Sequence, residues 1–269
     1  MSQFGISPLE QIRMFRKAGF EAFFTDWNED LPKYRALADE LGMIYQSVHA
    51  PFNAADTIWR DGNQADEAKN ELIRCVNDSA DVGVPIVIIH PYKGFENCAA
   101  ITDEGIGRFR AVVTAAASRG VNIAFENVEG EEYLAVLMDA FKEYENVGFC
   151  WDSGHELCYN RGKDMLSVYG DRLIATHLND NLGVSDEGGR IFWTDDLHLL
   201  PFDGITDWRS VCDRLNACGY DGILTFELTV NSKPHRHEND KYAKMSPEEY
   251  VAECYARACR VAYMKNGMN

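Results

Sequence analysis

The chain has 269 residues, 46% of them hydrophobic and 26% charged, and a formal net charge of −17. That length accommodates a substantial buried core, and no run approaches the roughly 18–20 apolar residues of a membrane span. An acidic excess repels phosphate backbones at long range, and the longest basic feature, Lys233-Pro234-His235-Arg236-His237, is followed at once by Glu238 and Asp240, so nucleic acid is disfavoured as a partner.

Short apolar runs rich in strand-forming residues alternate with segments of helical period from one end of the chain to the other. The pattern predicts a helix over Pro8 to Ala18 stopped by Gly19 and a strand over Glu21 to Thr25. A helix over Leu31 to Leu41 stopped by Gly42 follows, then a strand over Met43 to His49 closed by Pro51. The unit recurs as helix 66–82 with strand Ile86 to His90, helix 102–119 with strand Asn122 to Glu126, and helix 131–143 with strand Val147 to Asp152. Strand Leu173 to Leu178, helix Trp208 to Ala217, strand Gly222 to Glu227 and a closing helix from Ser246 to Tyr263 complete the set. Unbroken alternation implies parallel strands joined by crossover helices, and about 250 residues is the usual size of a (β/α)8 TIM barrel. The expectation is one such α/β domain over residues 1–269. Seven strands are evident; the first of eight would have to fit within Gln3 to Ile6, as a truncated strand, or lie upstream of Met1. An open seven-stranded sheet is the alternative.

The N-terminus, Met1-Ser2-Gln3-Phe4-Gly5-Ile6, has neither the basic start nor the apolar stretch of a secretory signal, so a cytoplasmic location is expected. The eight cysteines contain no Cys-x-x-Cys pair and are expected to be reduced core residues.

Metal-competent residues recur where strands end. His49, His90, Glu126, Asp152, His177 and Glu227 each stand at or near the C-terminal end of a different strand, and in a barrel those ends converge on one mouth. Carboxylates crowded there would raise one another's pKa unless a cation neutralises them, and mixed imidazole and carboxylate donors suit Mn²⁺ or Zn²⁺, with Co²⁺ and Mg²⁺ as further candidates. A divalent metal cofactor is therefore expected. Asp152-Ser153-Gly154-His155 adds an imidazole, and Asp196-Leu197-His198 lies in a long loop able to fold back over the mouth, unless Asp196 is a turn residue like its neighbour Asp195. Phe52, Trp59 and Trp193 stand in loops after strand ends and are candidate pocket walls.

The stretches His49-Ala50-Pro51-Phe52, Ile89-His90-Pro91, Phe125-Glu126-Asn127, Trp151 to His155, Thr176 to Asp180, Asp196-Leu197-His198 and Phe226-Glu227-Leu228, in that order, resemble the xylose isomerase-like barrel superfamily. That group includes sugar isomerases, ketose 3-epimerases, inosose dehydratase and endonuclease IV. The resemblance covers nearly the whole chain. It implies that Glu126, Asp152, His177 and Glu227 are the ligands of a single metal. Glu126 and Glu227 would also serve as acid and base, each with a pKa near neutrality, in proton abstraction next to a carbonyl through a cis-enediolate. His155, His49 and His90 would then bind substrate hydroxyls. Some epimerases carry an arginine six residues beyond the His177 position, where this chain has Gly183, so a particular ketose is not implied.

The same resemblance supports a rival, because His49, His90, Glu126, Asp152, His155, His177, Asp196, His198 and Glu227 match in order the nine ligands of endonuclease IV's three-zinc cluster. The strongly acidic composition opposes a grip on DNA. A non-catalytic sugar- or metal-binding module is opposed by retention of both glutamates. Epimerase, aldose–ketose isomerase and dehydratase begin with the same proton abstraction and remain open. No Gly-rich anion nest follows the last strands, which disfavours a phosphorylated substrate. Asn231 to Lys244 is long for a loop and is read as a lid, a homo-oligomer contact or a mobile surface segment.

Overall fold

The computed structural model describes residues 4–28, 30–95 and 98–267. Six strands form one parallel sheet in chain order: β1 (Ala22–Asp26), β2 (Ile44–His49), β3 (Ile86–Ile89), β4 (Asn122–Glu126), β5 (Val147–Asp152) and β6 (Leu173–His177). The connecting helices are α1 (Pro8–Ala18) before β1, then α2 (Leu31–Leu41), α3 (Asn63–Asp81), α4 (Asp103–Ser118) and α5 (Glu131–Ala140). The short α6 (Ser153–Cys158) and α7 (Leu166–Tyr169) follow β5, and α8 (Trp208–Ala217) and α9 (Pro247–Lys265) follow β6. Their ends carry the capping chemistry that the sequence spells. Ser7 accepts from the Glu10 amide ahead of Pro8, and Ser246 and Glu249 form a reciprocal capping box. No described helix is long and apolar enough to cross a membrane.

Strand side chains alternate between two faces. Val87, Ile89, Ile123, Phe125, Phe149 and Trp151 pack outward into the main core shared with the helices, whereas Ile88, Ala124, Cys150 and Ala175 form a separate small cluster facing the barrel axis. Two residues further along each strand, on that same axial face, stand His90, Glu126, Asp152 and His177. The period of the pleat, and not only the strand ends, thus aims these side chains into the mouth. The register aligns them: Asp26 pairs with His49, Glu126 with Cys150 and Asp152 with His177.

The seventh expected strand differs from its prediction. Residues 222–227 join the sheet by a single parallel bridge, Leu178 to Phe226. The Leu178 amide donates to Thr225 O (2.8 Å) and the Glu227 amide to Leu178 O (3.1 Å). The intervening Thr225 amide donates instead to the Thr176 hydroxyl (3.0 Å), so a side chain interrupts the ladder. The first expected strand is absent from the described residues. Phe4 and Gly5 form a turn with φ of 54° and 71°, outside the extended region, Ile6 belongs to no strand, and Gln3 lies outside the described residues. An apolar cavity of about 290 Å³ lies between β1 and residues 223–228, lined by Phe4, Ile6, Phe23, Phe24, Phe226 and Leu228 among others. The cysteines are all free, five of them buried, but Cys98 and Cys259 are exposed rather than in the core.

Because Thr176 holds a buried amide where a ladder carbonyl would, Thr176→Val should destabilise the fold by about 1–3 kcal/mol. Denaturant unfolding of the variant against the parent chain measures this, and faster exchange of the Thr225 amide would locate the loss.

Candidate metal centre

Nine of the twelve residues singled out in the sequence meet at the mouth. Glu126 is fully buried at its centre. Its Oε1 lies 3.2 Å from His177 Nδ1 and 3.4 Å from His155 Nδ1, and its Oε2 lies 3.3 Å from His90 Nε2 and 3.4 Å from His49 Nε2. Glu227 Oε2 also reaches His177 Nδ1 (3.1 Å). Asp196 faces His155 Nε2 through Oδ1 (3.6 Å) and His198 Nε2 through Oδ2 (2.7 Å). Asp196 is therefore a mouth residue. Asp195 is the turn residue: buried, it accepts from the Phe192 and Ser185 amides and pairs with Arg236.

The other three predicted residues divide. The Phe52 ring stacks on His90 (4.7 Å) and meets His49 edge-on, so it borders the mouth. Trp193 is half exposed at the rim, where its backbone carbonyl accepts from Tyr159 Oη and Lys233 lies over its ring. Trp59 does not line the pocket. It is buried between Phe109 and Tyr133 and donates through Nε1 to Pro91 O (2.8 Å), since a large aromatic with a satisfied N–H gains more in the core than at a wet mouth.

Supporting side chains fix these groups. Asn127 makes a two-way clamp on the backbone of Asp152, donating to its carbonyl and accepting its amide. Asn179 donates to both Asp152 carboxylate oxygens (3.1 and 2.9 Å), and the His155 amide donates to Oδ1 (2.6 Å) as Asp152 caps α6. A Cβ at Gly154 would sit 1.9 Å from Asn179 Oδ1, so only glycine lets the amide reach the carboxylate. Asp180 gathers the amides of Asn181, Phe202 and Thr206 and the Trp208 indole N–H, which folds the loop carrying Asp196 and His198 back onto the barrel. Asn127 and Asn179 stood within the matching stretches without an assigned role. Phe24, stacked on His177 (4.9 Å), and Tyr159, stacked on His155 (4.8 Å), gave no sequence signal separable from core packing.

Three imidazoles are held in one orientation. His49, His155 and His198 each donate through Nδ1 to a backbone carbonyl, of Ala50, Asn127 and Glu227 respectively (2.8, 3.0 and 3.1 Å), which turns Nε2 into the mouth. Two buried carboxylate oxygens, Glu126 Oε2 and Asp196 Oδ1, have no hydrogen-bond partner. Donor atoms of Glu126, Asp152, His177 and Glu227 lie within 4.8 Å of one another, as do those of His49, Glu126 and His177 and those of His155, Asp196 and His198. These donor types, their mutual reach and the unpartnered oxygens fit a divalent cation such as Zn²⁺ or Mn²⁺.

The charge balance corrects one expectation. Burial pushes Asp152 up to about 6 and His90 down to about 4. Burial also works to raise Glu227, but His177 and His198 outweigh it and hold the group at about 2; Glu126, among four imidazoles, is likewise held well below the usual range. In the metal-free chain the two glutamates are thus stabilised as carboxylates by neighbouring imidazoles rather than brought toward neutrality.

The chain belongs to the xylose isomerase-like TIM barrel family, whose model matches residues 10–249. Among sequence relatives, the uncharacterized protein y4fM of Sinorhizobium fredii is 29% identical, with 94% of this chain and 88% of that protein covered. Among solved structures, the IolI protein with a bound zinc atom superposes with a TM-score of 0.75 at 18% identity, covering 96% of this chain and 94% of its own. The D-psicose 3-epimerase of Clostridium cellulolyticum H10, solved with D-tagatose, gives 0.74 at 14% identity, covering 97% and 95%. At these identities the structures establish the shared fold.

Burial works to lower the His198 pKa, but the charges of Asp196 and Glu227 raise it to about 9. The sign follows: His198 stabilises the metal-free fold fully below about pH 6.5 and loses that contribution as pH rises through about 9. In metal-free protein, Asp196→Asn should move the His198 midpoint down toward the ordinary value near 6.5, as read from ring-proton NMR.

Proposed function

We propose that this chain is a divalent-metal-dependent isomerase or epimerase of small sugars, acting by proton abstraction beside a carbonyl through a cis-enediolate. One observation carries the reading. Glu126 and Glu227 both reach the same His177 nitrogen (3.2 and 3.1 Å) within the cluster completed by Asp152, so two carboxylates border one small space. A divalent ion held by Glu126, Asp152, His177 and Glu227 would supply positive charge to the carbonyl and neighbouring hydroxyl oxygens of a sugar, stabilising the negative charge that develops there.

The chain's own residues do the rest. Glu227, whose side chain is 22% exposed, is the more accessible carboxylate and takes the proton, becoming the acid; the fully buried Glu126, which must enter the cycle protonated, gives up its own proton and is left as the carboxylate. Return to the opposite face of the same carbon gives an epimer, and return to the adjacent carbon an isomer. His155, His49 and His90 offer hydrogen bonds to substrate hydroxyls. Phe52 and Trp193 flank the opening and exclude water. D-Psicose and L-ribulose, named for two structural neighbours, set the starting substrate class: unphosphorylated ketoses. Such a role would belong to carbohydrate metabolism, and a cytoplasmic location is proposed with it.

A second reading, a phosphodiesterase with a multi-zinc cluster, draws on the meeting of all nine candidate residues at one mouth. The net charge of −17 counts against binding DNA through its phosphates. A sugar dehydratase shares the first proton abstraction and differs in losing water afterwards.

Incubation of manganese- or zinc-loaded protein with ketoses in D₂O should introduce deuterium at the carbon beside the carbonyl. Glu227→Gln should lower that exchange by about 10²–10⁴-fold. Cleavage of abasic-site DNA without any sugar exchange would favour the second reading.

A further inference from the structure

Of the three donor sets at the mouth, the one containing His49 shares Glu126 and His177 with the four-residue inner set; the inner set and the remaining outer set share no residue and differ in charge. The inner set of Glu126, Asp152, His177 and Glu227 contains three carboxylates whose partners are imidazoles and the Asn179 amide. The outer set of His155, Asp196 and His198 contains a single carboxylate, and a lysine already reaches it: Lys233 Nζ lies 3.1 Å from Asp196 Oδ2. That ammonium comes from the long loop at Asn231 to Lys244, which is tied down beyond it. Arg236 pairs with Asp195 (3.2 Å), Asn239 donates to the carbonyls of Leu197 and Thr229 (3.1 and 2.9 Å), and Lys233 itself lies over the Trp193 ring.

We infer that Lys233 is a built-in cation that occupies the charge position of a second metal ion, so that this mouth takes one divalent ion, at the inner set. The reasoning is electrostatic. A divalent ion held by His155, Asp196 and His198 would be coordinated by one negative charge and would lie close to a fixed ammonium that shares that charge. Retreat of the lysine would give up its ion pair with Asp196 and its place over the Trp193 ring. The inner set, with three carboxylates and no ammonium among those partners, has the opposite balance. Lys233 therefore acts as a selectivity residue for metal number, separating a one-metal sugar site from a multi-metal one built from the same imidazoles and carboxylates.

This inference rests on the proposal that the inner set holds a metal, and the test separates the two. Purified chain, Lys233→Met and Lys233→Arg are equilibrated with Zn²⁺ against a weak chelator, and zinc per polypeptide is measured by elemental analysis. The expected result is one ion in the parent, two in Lys233→Met, and one in Lys233→Arg, which keeps the charge. The second ion should vanish again in Lys233→Met combined with His198→Ala, locating it at the outer set. Two or three ions in the parent, or one ion in a folded Lys233→Met, would overturn the role of Lys233. No ion in the parent would overturn both that role and the inner-site reading.

Discussion

Four carboxylates, Glu126, Asp152, Asp196 and Glu227, share one rim of the barrel, three of them buried, and much of the surrounding structure answers that constraint. Ionised carboxylates out of water are sustained only by positive charge or N–H donors at contact distance. Glu126 has four imidazoles around it, Asp196 two imidazoles and an ammonium, Glu227 an imidazole, and Asp152 mainly an amide and a backbone N–H. Asp152, with the least positive charge in contact, is the one whose pKa burial succeeds in raising. A divalent ion at the inner set would complete this neutralisation.

That requirement propagates into the loops. Reaching Asp152 obliges Asn179 to pass where any side chain at position 154 would stand, and Ser153 ties the two segments by accepting the Asn179 amide and donating to its carbonyl. Delivering Asp196 and His198 obliges the loop after β6 to fold inward, which Asp180 achieves with four donors. A Cβ at Gly204 would sit 2.3 Å from Asp180 Oδ1. The buried polar groups thus form a connected layer beneath the mouth, so that geometry at the donors depends on residues that never face the cavity.

The regular part of this architecture was legible because its signals are local and periodic. Gly19 and Gly42 end helices, Ser246 and Glu249 begin one, and six strands stand where alternating apolar runs place them. The rim donors were legible because strand ends in a parallel barrel share one face. What escaped depends on long-range partners. Nothing in Gly222 to Glu227 reveals that Thr176 will take the Thr225 amide and interrupt the ladder. Nothing around Trp59 distinguishes a loop aromatic at the mouth from one whose indole N–H meets Pro91 in the core. Lys233, more than thirty residues from Asp196 in sequence, emerges only once its loop is folded over the rim.

The role proposed for Glu126, Asp152, His177 and Glu227 is to hold one metal ion. The most direct test is a crystal structure of zinc-loaded protein with diffraction data collected on both sides of the zinc absorption edge. One anomalous peak coordinated by those four side chains is the predicted result. A peak seated instead among His155, Asp196 and His198, or no peak at the mouth in fully loaded protein, would contradict it.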